Sequence, residues 1–222
     1  MRLSSLALVL ILGSTIGIGS GIARAQPAAA ASRKPGKAAP EVDPKLVELF
    51  EQAVASAKAG KHAEALATYR KILVTQHKGK LAAIPRFLAT THLQASYALI
   101  DLGRLKDAKA ELKLVDTATF KKPAVYDYQF TLGNVLGGLG ELKPMFSAFV
   151  EAISVAEDLD DMDVRPQQCW TKILAFTMKA KDWTYLEEVS GKALQVAKVR
   201  GWKELEIKAQ VTASEAQKHK RK

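Results

Sequence analysis

The chain has 222 residues, of which 33 are Lys or Arg and 23 are Asp or Glu, for a formal net charge of +10. Apolar residues make up 48%, with 14 glycines and 8 prolines, which is too apolar for a disordered chain and too poor in Gly and Pro for a fibrous one. The single cysteine excludes an intramolecular disulfide framework and cannot by itself build a structural zinc site.

Met1-Arg2 opens an uncharged, mostly apolar run from Leu3 to Ile22, followed by the small-x-small triplet Ala23-Arg24-Ala25. A positive start, an apolar middle and a small-residue exit predict a secretory signal peptide over residues 1–25, cut before Gln26. The competing reading is an uncleaved anchor, since roughly 20 apolar residues can span a bilayer. Glycines and serines crowding the second half of the run favour cleavage. With no cysteine after the run, the lipid-anchored form is excluded. The expected address is periplasmic or secreted, which argues against a nucleic-acid partner despite the basic charge. Residues 26–43 hold Ala, Pro, Lys and Gly with one valine as their only larger apolar side chain, and predict a disordered Ala/Pro/Lys linker.

From Asp43 onward apolar residues recur at helical spacing. Asp43-Pro44 supplies an N-cap with proline in the first turn. Leu46, Val47, Phe50, Ala53, Val54 and Ala57 then form one stripe that ends at Gly60. A second helix carries Ala63, Ala65, Leu66, Tyr69, Ile72 and Leu73 and closes at Gly79. The pattern recurs over Phe87 to Leu102, Gly103 and Leu105 to Val115, and again over Tyr126 to Leu139, Gly140 and Leu142 to Ala156. Pro166 opens a further pair, Gln167 to Ala180 and Asp182 to Arg200, and Gly201 precedes a last helix from Trp202 to Gln217. The expected organisation is a domain over 44–217, with hairpins at 44–79, 86–117, 124–158 and 166–200, a capping helix at 202–217 and a basic tail at 218–222.

The hairpins share a register. Five residues after Gly60, Gly103 and Gly140 come Ala65, Ala108 and Met145; four further on come Tyr69, Leu112 and Phe149. Seven residues before each glycine lie Ala53, Ser96 and Gly133, small enough to let two antiparallel helices approach. This register resembles the tetratricopeptide repeat (TPR), most closely in FTLGNVLGGLGELKPMFSAFVEAI, residues 130–153, where Met145 departs from the family's alanine. The resemblance covers about 45–200. The glycines lie farther apart than the family's ~34-residue step, so the connections 74–88 and 117–125 are expected to be long. Ala180-Lys181-Asp182-Trp183 replaces the glycine turn of the fourth hairpin, a degenerate repeat. The resemblance implies an all-α fold, a short α-solenoid of antiparallel hairpins.

No HExxH, CxxC, GxSxG or P-loop pattern occurs, and the four histidines at 62, 77, 92 and 219 are scattered. Gly138-Leu139-Gly140 belongs to the repeat turn rather than to a phosphate cradle. Cys169 reads as a buried small apolar residue. The acidic run Glu157-Asp158-Leu159-Asp160-Asp161-Met162-Asp163 raises calcium. Met162, Asp163 and Cys169, however, stand where an EF-hand loop needs a ligand, a glycine and its last glutamate, so a solvated inter-repeat loop is the better reading. No catalytic residue, metal or cofactor is expected, and the chain reads as not an enzyme.

By the family resemblance, the first helix of each hairpin lines a groove for a peptide or protein segment. The groove candidates are Val47, Phe50, Val54, Leu93, Gln94, Tyr97, Phe130 and Asn134. The family's carboxylate clamp uses lysine, asparagine and arginine at places that here hold Phe50, Val54 and Thr131, so a groove preferring apolar or aromatic side chains is expected instead. The expected partner is a protein or peptide of unspecified identity. The alternative is an envelope-surface binder that holds anionic lipid or glycan through basic ends flanking an acidic middle.

Overall fold

A computed structural model describes residues 42–78, 84–159 and 164–221. They fall in one of the chain's two units, Ala39–Lys222; the other, Met1–Ala38, lies outside the described residues, and with it the predicted signal peptide and most of the linker. Gly79 and residues 160–163 of the acidic run also lie outside them.

The described residues form nine α-helices and no strand: α1 Pro44–Lys58, α2 His62–Lys78, α3 Pro85–Asp101, α4 Leu105–Leu112, α5 Lys122–Gly138, α6 Leu142–Glu157, α7 Val164–Ala180, α8 Trp183–Arg200 and α9 Lys203–Lys220. A 3-10 turn at Thr117–Thr119 separates α4 from α5. No helix among the described residues is long and apolar enough to cross a membrane.

The helix boundaries follow local chemistry. Asp43 caps α1, its Oδ1 accepting from the Lys45 amide at 2.9 Å with Pro44 in the first turn. At the other end Gly60 takes φ +76°, the left-handed conformation that a Cβ disfavours. That turn lets the Lys61 amide reach the Ser56 carbonyl at 2.9 Å and the Gly60 amide reach that of Ala57 at 3.0 Å, so two orphaned carbonyls are satisfied. Gly103, Gly140 and Gly201 repeat this conformation. In the fourth hairpin Lys181 occupies it at φ 57°, so the turn persists without its glycine.

Several boundaries differ from the sequence expectation, α7 among them, which begins at Val164 rather than Gln167. α4 stops at Leu112 rather than Val115, because Asp116 starts the 3-10 turn by accepting from the Ala118 amide. α5 begins at Lys122, a turn before Tyr126, with Pro123 in its first turn. α9 continues to Lys220, past Gln217: His219 stacks on Trp183 with ring centroids 4.1 Å apart, and Lys220 pairs with Glu187 at 2.5 Å. The basic tail is thus helical through Lys220 and held against α8.

Consecutive helices pack antiparallel, and α1, α3, α5, α7 and α9 also touch one another in sequence. The odd-numbered helices therefore form one layer, backed by the even-numbered ones. Two apolar clusters fill the space between. One joins α1–α4 and includes Tyr69, Leu99, Leu112 and Val135; the other joins α5–α9 and includes Leu136, Phe149, Trp170 and Leu186. α5 is the watershed, since adjacent Val135 and Leu136 face different clusters. The shared register is buried throughout: Ala53, Ser96 and Gly133, then Ala65, Ala108 and Met145, then Tyr69, Leu112 and Phe149.

Candidate functional site

The odd-helix layer is where the groove candidates lie, and their surroundings differ. On α1, Val47 is 37% exposed, while Phe50 and Val54 are half-buried. The Phe50 ring meets Tyr69 edge-on at 5.7 Å and Phe87 of α3 at 5.4 Å, so it is the outer wall of the core as much as a surface. On α3, Leu93 is 5% exposed and belongs to the core; its side chain is not on the groove surface. Gln94 and Tyr97, one and four residues on, are half-buried. On α5, Phe130 stacks on Tyr126 at 5.7 Å and meets Phe149 edge-on at 5.7 Å. Asn134 is half-buried and donates its amide back to the Phe130 carbonyl at 2.8 Å, which leaves its side-chain oxygen available.

The structure joins Tyr97 to the α5 residues and adds groups that sequence reasoning passed over. Tyr97 of α3 lies near Thr131 and Asp127 of α5. Burial pushes its phenol up to about 12, against the lowering effect of Thr131, with the Asp127 charge adding a further rise. Thr131 itself is buried and donates to the Asp127 carbonyl at 2.6 Å. Asp127 keeps an exposed side chain among crowded neighbours. Partial desolvation lifts its carboxyl above the ordinary value, and the Arg165 charge opposes that lift. Arg165, from the first turn of α7, lies over the Tyr126 ring at 4.8 Å. Helices α3, α5 and α7 thus carry Tyr97, Thr131, Asp127 and Arg165 on neighbouring stretches of one layer. A sequence signal for Asp127 existed in its position one residue after the aromatic Tyr126, but its approach to α3 and α7 depends on helix packing.

Other candidates are structural. His92 is buried, its Nδ1 2.5 Å from Glu111 Oε1, and ties α3 to α4. Glu157 pairs with Arg200 at 2.8 Å and Asp158 with Lys122 at 2.9 Å, so the described start of the acidic run ties α6 to its neighbours. Cys169 is fully buried, and burial pushes its thiol up to about 12. Among the described residues no group of three or more His, Cys, Asp or Glu side chains is placed to hold a metal.

α9, the expected capping helix, carries apolar residues on two sides. Leu205, Ala209, Thr212 and Ala216 face the core, yet Ile207 and Val211 are 62% and 63% exposed on the opposite side.

No protein-family model and no curated protein sequence matches the chain. Among solved structures, it is similar to a Podosopora anserina protein described as a kinesin light chain of nearly identical TPR-like repeats, at 13% identity and a TM-score of 0.57, over 78% of this chain and 85% of that one. A single-substitution form of that protein matches with the same identity and TM-score, over 78% and 84%. At that identity the likeness concerns the fold alone: the chain is an all-α array of antiparallel helical hairpins of TPR-like architecture.

Proposed function

We propose that the protein is a non-catalytic interaction scaffold of the cell envelope that binds a peptide or protein segment on its odd-helix layer. One observation carries the reading. The first helices of successive hairpins lie side by side, and they present half-buried aromatic and amide side chains, Phe50, Gln94, Tyr97, Phe130 and Asn134, rather than a closed core or a fully charged surface. Such side chains give an extended ligand apolar contact together with a few orienting hydrogen bonds. The TPR-like fold supports the reading, as repeat stacks commonly present extended binding surfaces. The envelope address rests on the signal-peptide reading of residues 1–25. Intact mass of protein from its native host should begin at Gln26; a mass that retains residues 1–25 rejects soluble export.

Capture from an envelope extract tests the binding layer. The chain carrying Tyr97→Ala and Asn134→Lys should lose the proteins that the unaltered chain retains, whereas Lys198→Glu, exposed on the even-helix layer, should keep them. Capture indifferent to the paired substitution rejects the groove. The alternative, anionic lipid or glycan held by basic ends, draws on one observation. The His219–Trp183 stack brings the last turn of α9 beside the turn that carries Lys179 and Lys181. Several basic tail side chains are already engaged, with Lys218 and His219 on Glu215 and Lys220 on Glu187. Salt-sensitive co-sedimentation with anionic vesicles, lost on removal of residues 218–222, would favour that reading over the groove.

A further inference from the structure

The exposed aliphatic side chains are not spread evenly over the stack. Among the described residues six are more than half exposed, and four of these stand one to each connection between hairpins: Val74 before α3, Leu114 before α5, Val164 at the start of α7 and Val199 before α9. Because consecutive helices run antiparallel, these connections and the start of α1 share one edge, while the turns at Gly60, Gly103, Gly140 and Lys181 share the other. The 3-10 turn after Leu114 packs on α3, so the first two connections are neighbours. A lone surface aliphatic is ordinary, but one projecting from each successive connection is a pattern.

Charge divides that edge. From Val74 to Leu88 there are three Lys or Arg and no Asp or Glu; from Ala108 to Val125 there are four against two. Both of those acids are occupied: Glu111 pairs with buried His92, and Asp116 accepts from the Ala118 amide to start the 3-10 turn. Lys109 and Lys122 are paired too, with Glu141 and Asp158. Arg86, Lys113 and Lys121 are exposed and form no ion pair among the described residues. The third connection has the opposite sign, with five acids against Arg165 from Ile153 to Gln167. The fourth, from Val196 to Glu206, is mixed, three bases against two acids, and the start of α1 sets Lys45 beside Asp43 and Glu48. Only the first two connections therefore join projecting aliphatics to an uncompensated positive charge.

From this edge we propose a second contact, with the surface of an anionic phospholipid bilayer: Val74 and Leu114 enter the boundary between headgroups and acyl chains, and Arg86, Lys113 and Lys121 lie among the lipid phosphates. Apolar side chains and cations act together in that boundary, the first by burial and the second by attraction to the negative surface. Side chains projecting from two separate connections reach a flat surface at once, whereas a protein partner would need a matching pair of hollows. The same lipids repel the acidic third connection, so the first two hairpins stand nearest the bilayer. This contact lies on the edge opposite the last turn of α9, and it neither requires nor blocks a ligand on the layer formed by α1, α3 and α5.

Co-sedimentation with vesicles tests the proposal, using the protein as isolated from its native host. The quantity read is retention on mixed phosphatidylglycerol and phosphatidylcholine vesicles in excess of that on phosphatidylcholine alone, since the apolar segment Leu3–Ile22, where retained, inserts into both. The expected result is an excess that falls as salt rises. Lys113→Glu with Lys121→Glu should weaken it by about tenfold or more. Val74→Ser with Leu114→Ser should weaken it even at low salt, and both pairs should keep the helical circular dichroism spectrum. Removal of residues 218–222 should leave it intact, as should Tyr97→Ala, which acts on the groove alone. No excess on the anionic vesicles overturns the proposal, as does an excess indifferent to the Lys113 and Lys121 reversals. An excess lost with residues 218–222 overturns it by moving the contact to the tail, and one indifferent to Val74 and Leu114 overturns the insertion of their side chains. A chain that ignores vesicles but binds immobilised polyglutamate through Lys113 and Lys121 overturns it in favour of an acidic protein.

Discussion

Lys181 shows how a fold imposes a backbone conformation that its residue resists. Four described inter-helix turns use glycine at φ between +71° and +77°, and Lys181 holds φ 57° in the fifth. Lys181→Gly should therefore stabilise the protein by ~0.5–1 kcal/mol, the strain removed less the entropy that glycine adds to the unfolded chain. Gly103→Ala should cost ~1 kcal/mol, and nothing but the backbone can be responsible, since a Cβ there meets no atom within 4 Å. Thermal melts of the two variants should move in opposite directions. The alanines of the repeat register give a second residue-scale test. Ala65 and Ala108 are fully buried, whereas Ala59 is exposed at the end of α1. Replacing either buried alanine by leucine should cost ~1–3 kcal/mol through overpacking. Ala59→Leu should change stability by no more than ~0.5 kcal/mol. Equal effects at all three sites would break the register.

Among the elements, α5 lets α6 and α7 approach closely by means of its glycines. A Cβ on Gly133 would lie 2.8 Å from the Phe149 ring of α6, and one on Gly137 would lie 2.5 Å from the Phe176 ring of α7. Phe149 is fully buried and cannot swing away, while Phe176 is only half-buried. Gly133→Ala should thus destabilise by ~1–3 kcal/mol, and Gly137→Ala by less despite its shorter contact, an order that chemical denaturation can check. The glycines of LGNVLGGLG (residues 132–140) were legible in the sequence as small residues at a helix crossing. Which neighbour each one meets was not, because that depends on the rotation of α5 between two cores.

Across the whole molecule, buried phenols and a buried thiol link stability to alkaline pH. Burial raises Cys169 from 9.0 to about 12, and Tyr69 and Tyr97 from 10.0 to about 12. The Tyr126 phenol is raised too, by burial first and by the Cys169 sulfur beside it. Each group is neutral when protonated, so the unfolded chain releases these protons at lower pH than the folded one. Their contribution is fully present below about pH 9 and is lost as pH climbs toward about 12. Urea midpoints measured from pH 7 to 11 should stay level and then fall. In Cys169→Ala the onset should move toward about pH 10, where only the tyrosines remain. A flat profile to pH 11 would mean that these groups are solvated in the folded protein.

The sequence by itself determined the helices, their hairpin pairing and the register of small and bulky residues, because those depend on 3.6-residue periodicity and on turn chemistry within a few neighbouring positions. It also carried the TPR-like architecture, since Ala53, Ala65 and Tyr69 and their counterparts recur at fixed offsets from each glycine. Tertiary structure alone decided the surfaces. Leu93 looked like its groove neighbours Gln94 and Tyr97, yet the rotation of α3 sends it into the core while they stay half-buried. Asp127 and Thr131 come near Tyr97, and Arg165 comes near Tyr126 and Asp127, only because α5 packs against α3 on one side and α7 on the other. On α9 the composition reads as polar, and the exposure of Ile207 and Val211 follows from Leu205 and Ala209 having already taken the inward face. Periodicity tells that a helix has an apolar side, but when a helix carries apolar residues on two sides, only packing chooses which one the core receives.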